Sequence, residues 1–226
     1  MGDYRLSARL RNALAPRAWL AIMFVAILCA ASAAPARAQV EAKPPVMLVA
    51  TPNLGDPIFE QTVILLLPGN PAPLVAGVII NQPTTIPVKT LLPDARGRIG
   101  DMVADFGGPV DINAPVLLAR ASSAPAGATL VAGDLYWMDS SAAVEGFIKR
   151  NPDPGTLRVY YGRAQWLPRQ LRGEIQSGSW YVEPVDTSAV FSANPKTLWR
   201  KMVERAQLEE TNSSSAGASA LAALMR

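Results

Sequence analysis

Asp56, Asp105 and Glu174 are the acidic residues whose settings could support proton transfer, and no histidine stands anywhere in the 226-residue chain to assist them. Ser-His-Asp and Cys-His catalysis, zinc hydrolase sites and imidazole proton shuttles are therefore excluded. The single cysteine, Cys29, lies within an apolar N-terminal run and follows Leu28 rather than a small residue, so a lipoprotein cleavage box does not fit there. Acid–base work would fall to Asp, Glu, Lys or Tyr. A carboxylate hydrolase would use Asp56 or Asp105 as base with Glu174 as partner, which requires two carboxyls converging in one pocket.

Each candidate also has an architectural reading. Asp56 precedes Pro57 and fits a helix N-cap with proline at the first helical position, so "DPIFEQ" is expected to form one helical turn that drops Ile58 and Phe59 into the core. A ligand-binding Asp56 is the alternative. Asn81, at the end of an apolar run and before Gln82-Pro83, suits either a side-chain bridge across a turn or ligand recognition. Gly107-Gly108-Pro109 is either a strand-end turn or an anion nest, although no Gly-Lys-Ser/Thr follows and the proline removes an amide. Trp166 and Gln170 straddle an expected helix start, where they pack into the core or line a groove. Asp101, Asp105 and Asp111 do not have the spacing of a calcium loop, so no metal or other cofactor is expected.

These residues must be positioned by the elements around them. "VMLVAT", "TVILLLP" and "LVAGVIIN" are continuous apolar runs bounded by turn residues and read as buried strands, with "GNPAP" as a hairpin loop. A connector with a short helix at Val88 to Leu92 follows. "MVADFGGPVD", "APVLLARA", "ATLVAGDLYWM", "TLRVYYG" and "SWYVEP" are further strands. Helices are expected behind the Asp139-Ser140-Ser141 cap cluster, over "PRQLRGEIQSG", and from Asn194-Pro195, where Leu198, Trp199, Met202, Val203 and Ala206 form one apolar stripe. Strands in succession before the first long helix predict a single α+β domain with a mixed, largely antiparallel sheet.

Residues 1–38 have the layout of a secretory signal: Arg5, Arg9, Arg11 and Arg17, then an apolar stretch, then Ala36-Arg37-Ala38 before Gln39. An uncleaved anchor is the rival reading, because the run from Ala18 to Ala34 approaches the roughly 17–25 residues of a spanning helix. Cleavage would remove five basic residues and one acid, taking the formal charge from +3 to about −1. The expected organisation is signal 1–38, linker 39–45, domain 46–210 and a flexible tail 211–226 with a weakly helical end. The location expected from it is the periplasm or the exterior, with an inner-membrane anchor as the alternative.

The order "PNLGDPIFEQTVILLL", "GVIINQP", "FGGPV" and "QWLPRQLRGEIQSGSWYVEP" resembles the AlgH/YqgE (UPF0301) family, whose pattern runs from D-P-x-F through G-x-x-x-N-x-P and G-G-P-V to W-x-P-x-Q-L-x-x-E. The resemblance covers roughly Val46 to Val203. It implies an α+β fold without an assigned activity, and its motif positions supply the ligand-binding candidates Asp56, Phe59, Asn81, Gly107, Gly108, Trp166, Gln170 and Glu174. Two departures stand out: Gly162-Arg163-Ala164-Gln165-Trp166 replaces a Gly-Tyr-Ala-Gly-Trp run, and Ala119 stands where relatives often carry histidine.

Three functions are compatible with these features. The first is an exported, non-enzymatic binding domain for an envelope protein or small ligand, which predicts a cleft near the Gly-Gly-Pro turn and Trp166. The second is the carboxylate hydrolase. The third is a nucleic-acid-binding regulator, disfavoured because the processed chain lacks a basic excess, though Arg158, Arg163, Arg169 and Arg172 could cluster locally.

Overall fold

The computed structural model describes residues 46–69 and 74–224, with side chains through 211. The signal, the linker and most of the "GNPAP" loop lie outside the described residues.

The described residues form ten strands: β1 Val46–Ala50, β2 Val63–Leu67, β3 Val75–Ile79, β4 Pro83–Pro87, β5 Val103–Phe106, β6 Val110–Arg120, β7 Thr129–Ala132, β8 Leu135–Met138, β9 Leu157–Trp166 and β10 Trp180–Pro184. Six α-helices accompany them among the same residues: α1 Val88–Leu91, α2 Gly97–Gly100, α3 Ser141–Ile148, α4 Pro168–Gln176, α5 Thr187–Val190 and α6 Leu198–Leu224. The main sheet order is β10-β1-β2-β3-β9-β6-β8-β7, with β5 bridging β4 and β9. Every pairing is antiparallel except β5 with β9. This is the α+β fold expected.

The strands β1 to β3 are apolar at nearly every position because both faces of this part of the sheet are covered. Met47, Val49, Val63, Leu65 and Val78 join a core that includes Leu198, Met202 and Val203 of α6. The alternate residues Leu48, Ala50, Ile64 and Ile79 pack on the opposite face with Trp166, Leu171 and Trp180. Further along the sheet, Leu117, Ala119, Leu157 and Val159 are covered by Val88, Ile99 and the α3 residues Val144, Phe147 and Ile148. Strand β9 joins these regions, because its first residues pair with β6 and its last with β3.

Two local expectations change. "DPIFEQ" makes the single hydrogen-bonded turn expected, the Glu60 amide donating to the Asp56 carbonyl at 2.7 Å, but Ile58 is 41% exposed, so only Phe59 of the pair turns inward. The final helix continues to Leu224, so Thr211, the expected start of a flexible tail, is not a backbone boundary. Good helix formers dominate the end of this segment, "ALAAL", and offset the serines and Gly217 before it. No described helix is long and apolar enough to cross a membrane.

Candidate functional site

Helix α4 begins with Pro168 in its first turn, where a missing amide hydrogen costs nothing. Gln170 and Glu174 lie one turn apart on it, and the Gln170 side-chain amide donates to Glu174 Oε1 at 2.9 Å. Gly178, just beyond the last turn, closes off the helix with φ +78°, and the Ser179 amide donates to the Glu174 carbonyl at 2.9 Å. That reversal returns the chain into β10 with Trp180 beside the carboxylate it has just passed. Trp180 stands opposite Ala50 on β1, and Trp166 stands opposite Val75 on β3.

Both tryptophans aim their indole N–H groups at one oxygen. Trp166 Nε1 donates to Glu174 Oε2 at 3.0 Å and Trp180 Nε1 donates to the same atom at 2.9 Å. The carboxylate thus accepts three side-chain hydrogen bonds, a charged-acceptor arrangement worth about 1.5–3 kcal/mol per bond. The two indoles meet edge to face with centroids 6.2 Å apart, and Phe59 lies 5.7 Å from Trp166 and 6.0 Å from Trp180. Such pairs contribute about 0.5–1.5 kcal/mol beyond their burial.

Phe59 is presented by the turn that Asp56 caps. Asp56 Oδ1 accepts from the Ile58 amide at 2.8 Å and the Phe59 amide at 3.3 Å. Capping is therefore the structural role of Asp56, whose remaining oxygen has no hydrogen-bond partner among the described residues.

These groups surround a cavity of about 270 Å³. Its walls are Leu54, Phe59, Pro109, Val110, Trp166 and Trp180, and its polar lining is Asp56, Gln165, Gln170 and Glu174. Of the eight sequence candidates, Asp56, Phe59, Trp166, Gln170 and Glu174 meet here. Trp180, Gln165 and Val110 were not among them. The Trp180 position in the "SWYVEP" strand was visible in sequence, but its return to Glu174 depends on the α4–β10 reversal.

The other three candidates serve the backbone and lie outside the cavity lining. Asn81 is 7% exposed; its Oδ1 accepts from the Val63 amide at 2.8 Å and its Nδ2 donates to the Gln61 carbonyl at 2.9 Å. It fastens the turn carrying Phe59, whose last residue Gln61 has φ +56°. Gly107 and Gly108 lie against Gly162 of β9 so closely that a Cβ on Gly107 would collide with the Gly162 carbonyl oxygen, and one on Gly108 with the backbone of Arg163. The Gly107 amide donates to the Tyr161 carbonyl at 2.9 Å, so it is unavailable to an anion. The pair is a close strand crossing rather than a nest.

Residues 163–166 remain in β9 instead of forming a turn, while Gly162 keeps φ +70°. Arg163 lies 3.0 Å from Asp139 and 3.2 Å from Asp111, with its side chain 12% exposed. Ala119 is fully buried in the α3-side core, away from the cavity. Among the described residues no group of three potential metal ligands occurs.

Asp105 lies elsewhere, beside Tyr160 in the β5–β9 ladder, and is not part of the cavity lining. Burial pushes its carboxyl up to about 6, against the opposing pull of Arg158. Burial, and then the Asp105 charge, push the Tyr160 phenol well above its usual range. Of the two carboxylate pairs a hydrolase could use, Asp105 with Glu174 is thus not assembled, whereas Asp56 and Glu174 both line the cavity. The four arginines do not form one group: Arg163 is ion-paired, Arg158 stacks 5.3 Å from the Phe191 ring, and Arg169 and Arg172 are exposed one turn apart on α4.

Residues 47–210 match the model of the protein family DUF179, described as AlgH-like. A UPF0301 protein of Streptomyces coelicolor is 37% identical over 169 residues, covering 70% of this chain and 84% of that protein. A UPF0301 protein of Streptomyces avermitilis is 33% identical over 171 residues, covering 72% and 86%. The solution structure of the AlgH protein from Pseudomonas aeruginosa superposes with a TM-score of 0.59 at 25% identity, covering 73% of this chain and 87% of that one. A crystal structure of a protein from Corynebacterium diphtheriae, at 24% identity and TM-score 0.59, shares the fold over 72% of this chain and 86% of its own. The chain belongs to the AlgH-like family.

Proposed function

We propose that this protein is an exported binding domain whose recognition site is the cavity between Phe59, Trp166, Trp180 and α4. The observation that carries the reading is the engagement of Glu174 by three N–H donors, two of them from indoles that pack on each other and on Phe59. A general acid or base must exchange a proton with a substrate, whereas this carboxylate is held as the hub of a fixed wall. A preformed cavity with apolar walls and a few oriented polar groups is the common form of a small-ligand site. The signal-like N-terminus supports the exported location, with an envelope protein or small molecule as the ligand's source.

The indole N–H resonances of Trp166 and Trp180, assigned with Trp166→Phe and Trp180→Phe, report directly on the site. Titration with a mixed fragment library should shift both signals saturably while the fragments remain chemically unchanged. Consumption of a fragment, lost in Glu174→Gln, would replace binding with catalysis; shifts confined to other regions would move the site. The location is tested by cell fractionation and intact mass, with a periplasmic product beginning at Gln39 expected and a full-length cytosolic product contradicting it.

A further inference from the structure

The hydrogen bonds inside the cavity leave an imbalance that specifies its ligand. The Trp166 and Trp180 indole N–H groups and the Gln170 side-chain amide are all directed to Glu174. The Ile58 and Phe59 backbone amides are directed to Asp56 Oδ1. Among the side chains that line the cavity, the capacity left unengaged by the described residues is mainly acceptor: Asp56 Oδ2, Gln170 Oε1 and the second lone pair of Glu174 Oε1. The donors still free on the lining side chains are the two N–H groups of the Gln165 side chain, which has no hydrogen-bond partner among the described residues, and the second N–H of Gln170 Nε2.

Charge points the same way. Two carboxyl side chains line the cavity, and no lysine or arginine does. Arg163, the nearest basic residue along β9, is already held by Asp111 and Asp139. An anionic ligand would therefore bring acceptors to acceptors, with no cation to receive it, and a neutral acceptor-only ligand would leave the same lone pairs unpaired. An ammonium or guanidinium brings three to five N–H donors and positive charge, and a short apolar stem would lie along Phe59, Leu54 and Val110.

We infer that the cavity recognises a cationic N–H donor, an ammonium or guanidinium on an apolar stem. This rests on the binding-site reading above and adds the ligand's chemical class. The chemistry is shared by free amines and by basic side chains of a peptide, and the two sources are separable by experiment.

Benzylamine, benzyl alcohol and phenylacetate differ in charge at nearly constant shape, and their titration into the purified protein is followed at the Trp166 and Trp180 indole resonances. Benzylamine should bind at least tenfold more tightly than either partner, weaken as sodium chloride is added, and lose about fivefold or more in affinity in Asp56→Asn. Asparagine keeps the N-cap while removing the charge, so that variant retains the fold. Agmatine and a blocked Gly-Arg-Gly tripeptide then distinguish the sources: tighter binding of agmatine assigns a free amine, and tighter binding of the tripeptide assigns a side chain. Equal or stronger shifts with benzyl alcohol or phenylacetate overturn the cationic inference and leave the site in place. If neither these probes nor the fragment library moves the two indoles, the site reading falls with it.

Discussion

The family-motif positions divide into two groups that do opposite things with their polar atoms. Asn81, Gly107 and Gly108 serve the backbone: Asn81 joins the ends of β2 and β3 to the Phe59 turn, and the glycines permit β9 to cross at contact distance. Asp56, Phe59, Trp166, Gln170 and Glu174 also hold one another, but they do so around open space and leave acceptor capacity unengaged. The first group secures the geometry on which the second depends. A motif residue is thus a functional candidate only once its hydrogen-bonding capacity has been accounted for.

That contrast is sharpened by substitutions that separate stability from binding. The largest expected loss is at the crossing. Gly108 has φ +145°, and an alanine there meets both backbone strain and the Arg163 main chain. Gly108→Ala should cost about 3 kcal/mol or more, read as a collapse of the urea midpoint or of soluble yield. Asn81→Ala leaves the buried Val63 amide without an acceptor and should cost about 2–3 kcal/mol in urea unfolding, with fragment binding retained under native conditions. Glu174→Gln keeps the volume but replaces one acceptor with a donor, so it should cost about 1–2 kcal/mol while displacing the two indole N–H resonances from their wild-type positions.

Asp105 provides a check outside both groups. Its folded-state pKa of about 6 lies above the unfolded value of 3.8, so the folded chain binds the extra proton between those pH values. The penalty is absent below about pH 4, grows as pH rises through 4 to 6, and is fully present above. Asp105→Asn should therefore raise stability on the order of 1 kcal/mol at pH 8 and change it little at pH 4, measured by urea unfolding at the two pH values. The smallest effect is expected at Asp56, where alanine removes an exposed cap and should cost about 0.5–1 kcal/mol, while asparagine costs less.

Much of the fold is legible in the chain because burial on both faces writes itself into sequence. The runs "VMLVA", "VILLL" and "VAGVI" are apolar without alternation, and each is a strand covered on two sides. Ser140 is legible as a cap because its hydroxyl has a local task, accepting from the Ala143 amide. Strand β4 is not legible: prolines stand at both its ends, and its pairing with β5 depends on a distant partner. The candidate site is half legible for the same reason. Glu174 and Gln170 are one helical turn apart and could be paired by spacing, whereas the meeting of Trp180 with Trp166, and of both with Phe59, is created by strand order and by the reversal at Gly178.

The central claim is that the Phe59 group recognises a ligand while the Asn81 group supports the scaffold. The most direct measurement is a fragment titration of Phe59→Ala beside Asn81→Ala, followed at the Trp180 indole N–H. Phe59 is half-buried at the cavity wall, so its truncation should leave a folded protein and reduce fragment affinity tenfold or more, while Asn81→Ala keeps affinity within about twofold despite its larger loss of stability. Undiminished binding in Phe59→Ala, or a selective loss of binding in Asn81→Ala, would contradict the division and place recognition elsewhere in the molecule.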